Sequence, residues 1–242
     1  MNAIRRAVAE FVGTALLLAV VVGSGIMGER LSGGNVAIAL LANSIATGGG
    51  LVALILVFGP ISGAHFNPAV SLAMAASRRH AWNDMLLYLL AQFAGAVAGV
   101  WAAHAMFGEP ILQVSTKLRP GGALMFSEVV ATFGLLTTIF GCVRHRSEAV
   151  PYAVAVYIVA AYWFTASTSF ANPAVTVARS LTNTFAGIRP QDVPGFIGAQ
   201  LVGAVLATVL DGWLHQRIAT VKATASEAGS GETDHVGSTL RP

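Results

Sequence analysis

Charge is scarce in this chain: of 242 residues, 10% are charged while 55% are hydrophobic. Soluble domains carry about 25% charged residues, so a water-soluble globule is excluded. Cysteine is nearly missing as well. Cys142 stands alone, which rules out an intramolecular disulfide, and it reads as a small apolar residue at a helix end rather than a reactive thiol. No Cys/His cluster has metal-ligand spacing, and Ser, His and carboxylates form no nucleophile–base set that can be placed together. The chain therefore reads as neither a metalloprotein nor an enzyme, and no cofactor is implied. The net charge is only +3, and the location of the basic residues points away from a nucleic-acid partner.

What the sequence does have is apolar blocks of spanning length, roughly 17–25 residues. They lie at about 7–27, 36–58, 85–107, 122–142, 149–166 and 193–214. These predict an all-α membrane protein with six transmembrane helices in the lipid bilayer. The first block follows a basic start but is long and ends in no cleavage pattern, so it reads as a helix rather than a removed signal. Arg5, Arg6, Arg78, Arg79, Arg144, Arg146, Arg217 and Lys222 fall at one set of span ends; Arg30, Lys117, Arg119, Arg179 and Arg189 fall at the other. That bias places both termini in the cytoplasm, and a bacterial inner membrane is the expected location. Residues 223–242 are small, polar and Gly/Ser-rich, and read as a disordered tail after a single channel domain, 1–222.

The domain reads as two copies of one unit, about 1–118 and 119–222. "AEFVGTALLL" matches "SEVVATFGLL", pairing Glu10 with Glu128 and Thr14 with Thr132. "NPAVSLAMA" matches "NPAVTVARS", and "AQFAGAVAG" matches "AQLVGAVLA", pairing Gln92 with Gln200 and Gly95 with Gly203. The offsets are 118 (10 to 128), 105 (67 to 172) and 108 (92 to 200), in the same order; ordered matches of this kind mark an internal repeat. Three spans per copy is an odd number, so the copies are inverted and a site is expected near the midplane where they meet.

The NPAV segments, 67–77 and 172–182, are too short to span and read as re-entrant half-helices. Asn67-Pro68-Ala69 and Asn172-Pro173-Ala174 are helix starts: Asn caps, and Pro at the first position gives up a donor that has no helical partner there. Pointed at each other, the two ends each bring about +0.5 of a charge to the centre. Asn67 and Asn172 can donate to a solute oxygen. The extended residues before each cap, Gly63, Ala64 and His65 in one copy and Ser167, Thr168 and Ser169 in the other, would expose carbonyls to a wet cavity. Donors at the centre and acceptors along a wall suit a file of small neutral solutes. Glu10 and Glu128 admit two readings, a proton relay or structural acceptors for the re-entrant loops; their matched places favour the second. His104 reads as a helix contact rather than a ligand.

"SGAHFNPAV", "ANPAV", "AEFVGT" and "AQFAGA" resemble the aquaporin, or major intrinsic protein, family over roughly residues 5–215. The resemblance implies six tilted helices plus two half-helices, a pore in every protomer and a homotetramer. It also implies a second filter of four positions. In the family one of these is an Arg directly after the second NPA; here that place is Val175. Counting without gaps puts the others at Thr47, Ala160 and Ser169. Such a filter has no aromatic ring and no charge, and is wider than that of water or glycerol channels. It looks most like the Arg-less microbial members associated with passage of metalloid hydroxides such as arsenous acid. Arg179, one turn beyond Val175, reads either as a surface residue or as a guanidinium reaching back to the mouth, and Trp163, Phe164 or Phe170 could also fill the gap. The expected function is a passive channel for small uncharged polar solutes. An ordinary water or glycerol channel with a misaligned filter is the alternative in the same class; an ion channel or a non-conducting scaffold is the alternative outside it.

Overall fold

A computed structural model describes residues 2–230, with side chains through His215. Eight α-helices follow in order: α1 Ala3–Leu31, α2 Val36–Ser62, α3 Pro68–Ala76, α4 Met85–Phe107, α5 Gly122–His145, α6 Val150–Phe164, α7 Pro173–Arg179 and α8 Val193–Ser230. Among the described residues, six helices are long and apolar enough to cross a membrane: α1, α2, α4, α5, α6 and α8, some with a short 3₁₀ lead-in. The two remaining helices have nine and seven residues, about 10–14 Å at 1.5 Å per residue, and neither can cross a ~30 Å hydrocarbon core. Helix α8 continues through Ser230, so the expected tail of 223–242 falls partly on this helix and partly on residues 231–242, which lie outside the described residues.

Local chemistry sets the boundaries. Asn2, Asn35, Asn67 and Asn172 cap α1, α2, α3 and α7, each side-chain oxygen accepting from backbone N–H groups of the first turn. Gly63 ends α2 at φ +90°, a left-handed cap that glycine adopts without strain. The chain then turns inward rather than leaving the membrane region.

The two halves pack alike. Helix α1 lies mainly against α4 and α2, α5 lies mainly against α8, and α2 meets α6 where the halves join. In α4, Gly95 sits against the backbone of Phe11; in α8, Gly203 sits against that of Val129. Phe11 and Val129 stand in the same 118-residue relation as Glu10 and Glu128. Around this frame, Val8, Leu16, Leu56, Val156 and Val205 are exposed on the outside, where lipid or another copy would meet them.

Candidate conduction pathway

The half-helices α3 and α7 meet at their N-termini. Asn67 Nδ2 donates to the Ala171 carbonyl at 2.8 Å and Asn172 Nδ2 donates to the Phe66 carbonyl at 2.8 Å. Each asparagine therefore spends its oxygen on its own helix cap and one amide proton on the opposite loop. Both residues also border the central cavity, and an amide carries two protons, so one donor on each stays available to a solute.

The loops before the caps hold an unusual backbone. Ala64 and Phe66 in the first, and Thr168, Ser169 and Ala171 in the second, have positive φ between 46° and 63°. Left-handed non-glycine residues cost of order 1–3 kcal/mol each and persist only where the surroundings over-determine them. Two buried carboxylates do this. Glu10 accepts from the backbone N–H of His65 (3.0 Å) and Phe66 (2.7 Å), from Ser62 Oγ (2.6 Å) and from Gln92 Nε2 (2.8 Å). Glu128 accepts from the N–H of Phe170 and Ala171 (both 2.8 Å) and from Gln200 Nε2 (2.6 Å). Gln92 and Gln200 each donate on to the first turn of a half-helix, at Ser71 and Thr176. The matched acidic residues thus hold matched loops.

Between the halves runs a cavity of about 120 Å³, room for a short file of water-sized molecules. Its walls are unequal. Leu51 and Ile55 of α2, Leu135 and Ile139 of α5, and Val154 and Ile158 of α6 supply apolar surface, while Gly63, Ala64, His65, Asn67, Ser169 and Asn172 supply a polar strip. The carbonyls of Gly63, Ala64 and His65 accept no hydrogen bond among the described residues. His65 turns its ring aside: Nδ1 bonds Ser71 Oγ at 2.9 Å, and the ring packs edge-on against His80 and Tyr88.

Three expected positions need correction. The Ser167 carbonyl is not free, because Arg119 Nη1 donates to it at 3.0 Å. In the second loop Ser169, Phe170 and Ala171 border the cavity, and Ser167 and Thr168 do not. Ala160 is exposed on the outer side of α6 and lies outside the cavity wall. Helix α6 lines the cavity with Val150, Val154, Ile158 and Tyr162, a four-residue stripe from which Ala160 is two residues, or about 200°, away. The stripe is readable in the sequence. A gapless count does not land on it, because α6 ends at Phe164 and Thr165 turns to extended backbone.

The mouth farthest from the chain termini is therefore neither ring-free nor uncharged. Thr47 and Val175 border it, and so do Tyr162, Phe170 and Arg179. Tyr162 and Thr47 share a hydrogen bond at 3.3 Å. Trp163 and Phe164 are largely exposed and stay away from the gap. Arg179 is buried, its Nε donates to the Ala186 carbonyl, and its Cζ lies 3.5 Å from the Phe170 ring centre. Arg119 Cζ lies 4.9 Å from the same ring, and Arg119 also donates to the Gly187 carbonyl. Burial lowers the Arg119 guanidinium to about 10 and the Lys117 ammonium to about 8, the nearby Arg119 and Arg179 adding to the latter. The 105-residue offset maps Val175 onto Val70 and Arg179 onto Met74, and all four border the cavity. That mapping is the signal that marks Arg179 as a wall residue. His104, away from the cavity, bonds Thr182 Oγ1 (2.8 Å) and the Ile111 carbonyl (3.0 Å), tying loops together.

Known proteins resemble this chain. Residues 1–151 match the family model described as Major intrinsic protein. The chain is 58% identical over 212 residues to Aquaglyceroporin AqpS of Rhizobium meliloti (strain 1021), covering 88% of this chain and 91% of that protein. It is 31% identical over 222 residues to Aquaporin NIP2-1 of Oryza sativa subsp. japonica, covering 88% and 70%. The X-ray structure of the aquaglyceroporin from Plasmodium falciparum superposes with a TM-score of 0.66 at 20% identity, over 88% of this chain and 96% of that one, a likeness of fold. With half-helices meeting at doubled Asn-Pro-Ala caps inside six spans, this integral membrane protein belongs to the major intrinsic protein family, a family of channels.

Proposed function

We propose that the chain is a passive channel for small uncharged polar solutes, with water, glycerol-sized polyols and neutral metalloid hydroxides such as arsenous acid among them. The observation that carries this reading is the two-faced cavity. A polar strip of loop carbonyls and asparagine amides faces a wall of Leu, Ile and Val, and the far mouth repeats the pattern with Tyr162 and Thr47 beside Val175 and Phe170. A polyol or a trihydroxide has the same two sides: hydroxyls that exchange hydrogen bonds and a remainder that water hydrates weakly. In this reading Asn67 and Asn172 donate at the centre, the carbonyls of Gly63, Ala64 and His65 accept, and Val175 keeps the mouth open to more than water. The relative AqpS is named an aquaglyceroporin, which agrees with polyol passage. A water-only channel would need the mouth closed to anything larger.

Stopped-flow measurement on reconstituted vesicles tests this. Wild type is expected to pass glycerol and arsenous acid as well as water. Val175→Arg fills the open side of the mouth next to Arg179 and is expected to cut both larger solutes by about tenfold or more, the scale of a pocket changed by a few methylenes, with a smaller effect on water. A wild type that admits water alone, and a Val175→Arg variant that matches it, would sink the proposal.

The basic residues on the terminal face, among them Arg5, Arg6, Arg78, Arg79, Arg144 and Arg146, support placing both termini in the cytoplasm, in a bacterial inner membrane. The family resemblance supports a homotetramer. Protection of a C-terminal tag in sealed right-side-out vesicles, together with a cross-linking ladder that stops at four rungs, is the expected result.

A further inference from the structure

A guanidinium at membrane depth is costly and is kept for function or for a partner. Arg179 has no carboxylate partner among the described residues, all of whose ion pairs lie elsewhere. Its Nε is committed to the Ala186 carbonyl and its Cζ lies over the Phe170 ring, while its terminal nitrogens make no hydrogen bond among the described residues. It is 3% exposed yet borders the cavity, so the area it keeps open faces the pathway. Its neighbour Arg119 is placed differently. Two of that side chain's nitrogens are bound to the Gly187 and Ser167 carbonyls, so it secures the loop, and Lys117 Nζ donates to the Phe185 carbonyl at 2.7 Å.

We propose that Arg179 is the charge-selecting residue of the far mouth, supplying from one helical turn away the cation that Val175 does not, with Phe170 as its positioning residue. Helical side chains lean over the turn N-terminal to their own Cα, which brings a side chain at 179 back toward 175. There the terminal nitrogens bind oxygen acceptors on a passing solute, while the fixed charge turns back metal cations, ammonium-type cations and hydrated protons in a setting less screened than water. The counterpart in the other half, Met74, carries no charge, so this selection acts at one mouth only and stands in series with the half-helix ends at the centre. The inference deepens the neutral-solute reading and rests on it.

The experiment uses full-length protein in sealed vesicles, with water and glycerol flux measured beside methylammonium and proton leak under an imposed potential. Arg179→Gln is expected to raise the cation and proton leak by about tenfold or more while water flux persists. Arg179→Lys, which keeps the charge, is expected to leak little more than wild type. Phe170→Leu keeps the charge but loses its aim, and is expected to leak at an intermediate level. A leak unchanged in Arg179→Gln, or equal in Arg179→Gln and Arg179→Lys, overturns the proposal. Should Arg179→Gln reach the vesicles without water flux, Phe170→Leu decides: a raised leak supports the proposal and a wild-type leak overturns it. A wild type that passes neither water nor glycerol would instead sink the underlying channel reading, so the two failures are distinguishable.

Discussion

Glu128→Ala is expected to leave little folded protein, and whatever reaches the membrane is expected to conduct water at least about tenfold less than wild type. The substitution removes the acceptor for the Phe170 and Ala171 N–H groups and for Gln200. A buried donor left without a partner costs ~1–3 kcal/mol. The two backbone donors cannot turn elsewhere, because the loop is anchored by the cap of α7 immediately after. The left-handed residue Ala171 also loses the carboxylate that holds its N–H. Glu10→Ala is expected to act the same way through His65, Phe66, Ser62 and Gln92. Glu128→Gln is the informative control. It keeps one accepting oxygen but sets an NH₂ against donors, so an intermediate loss of thermal stability in detergent is expected. A proton relay predicts another pattern: Glu128→Gln would fold and pass water like wild type and lose only proton movement. Normal melting and normal water flux in Glu128→Ala would show that the loop is held by something else.

Much of this arrangement was legible in the sequence, and the physical reason is the repeat. Asn-Pro at two places, with Glu and Gln at fixed offsets, names a cap, an acceptor and a bridging amide twice, and local rules suffice to read each. The contacts between copies were not legible. That Asn67 donates to Ala171 and Asn172 to Phe66 depends on how two half-helices meet, which no local pattern encodes. The positive φ values at Ala64, Phe66, Ser169 and Ala171 carry no residue signature, since glycine is absent from all four; tertiary hydrogen bonds impose them. A gapless count back from Asn172 to Ala160 crosses the end of α6, where helical register is lost. Tyr162 continues the four-residue stripe on that helix. The aim of Arg179 is set by the Phe170 ring and the Ala186 carbonyl, contacts across the loop that follows α7, so the sequence left two readings open.

The repeat also explains why the two mouths differ. At equivalent positions His65 faces Ser71 while Phe170 supports Arg179, and Met74 corresponds to Arg179 itself. Positions that hold the loops are alike in the two copies: Glu10 and Glu128, Gln92 and Gln200. Positions that face the pathway near its ends differ between the copies, each with its own local partner: His65 on Ser71 in one, Arg179 on the Ala186 carbonyl in the other. One frame can therefore keep its centre and alter its entrances.

The frame itself predicts the second large effect. Gly95→Leu in α4 and Gly203→Leu in α8 are each expected to abolish recovery of monodisperse protein, and Gly203→Ala to lower the melting temperature in detergent. A Cβ at Gly203 would stand 2.5 Å from the Val129 carbonyl oxygen and 3.0 Å from the Phe133 nitrogen, and one at Gly95 would collide with the Phe11 carbonyl. These are backbone atoms of packed helices and cannot swing away, so the helices must part. Small residues permit such approach in membranes, where packing takes the place of a hydrophobic drive between helices, and forcing one extra group into a tight contact costs ~1–3 kcal/mol. Separating α5 from α8 would also carry Gln200 away from Glu128, so the loss reaches the α7 loop. Gly141→Ala on α5 is the control: nothing lies within 4 Å of the Cβ it would add, and exchanging a helical glycine for alanine stabilises by roughly 0.5–1 kcal/mol. Opposite shifts for Gly203→Ala and Gly141→Ala are the expected result; shifts of the same sign would mean that helix propensity, rather than the approach of α5 to α8, governs the bundle.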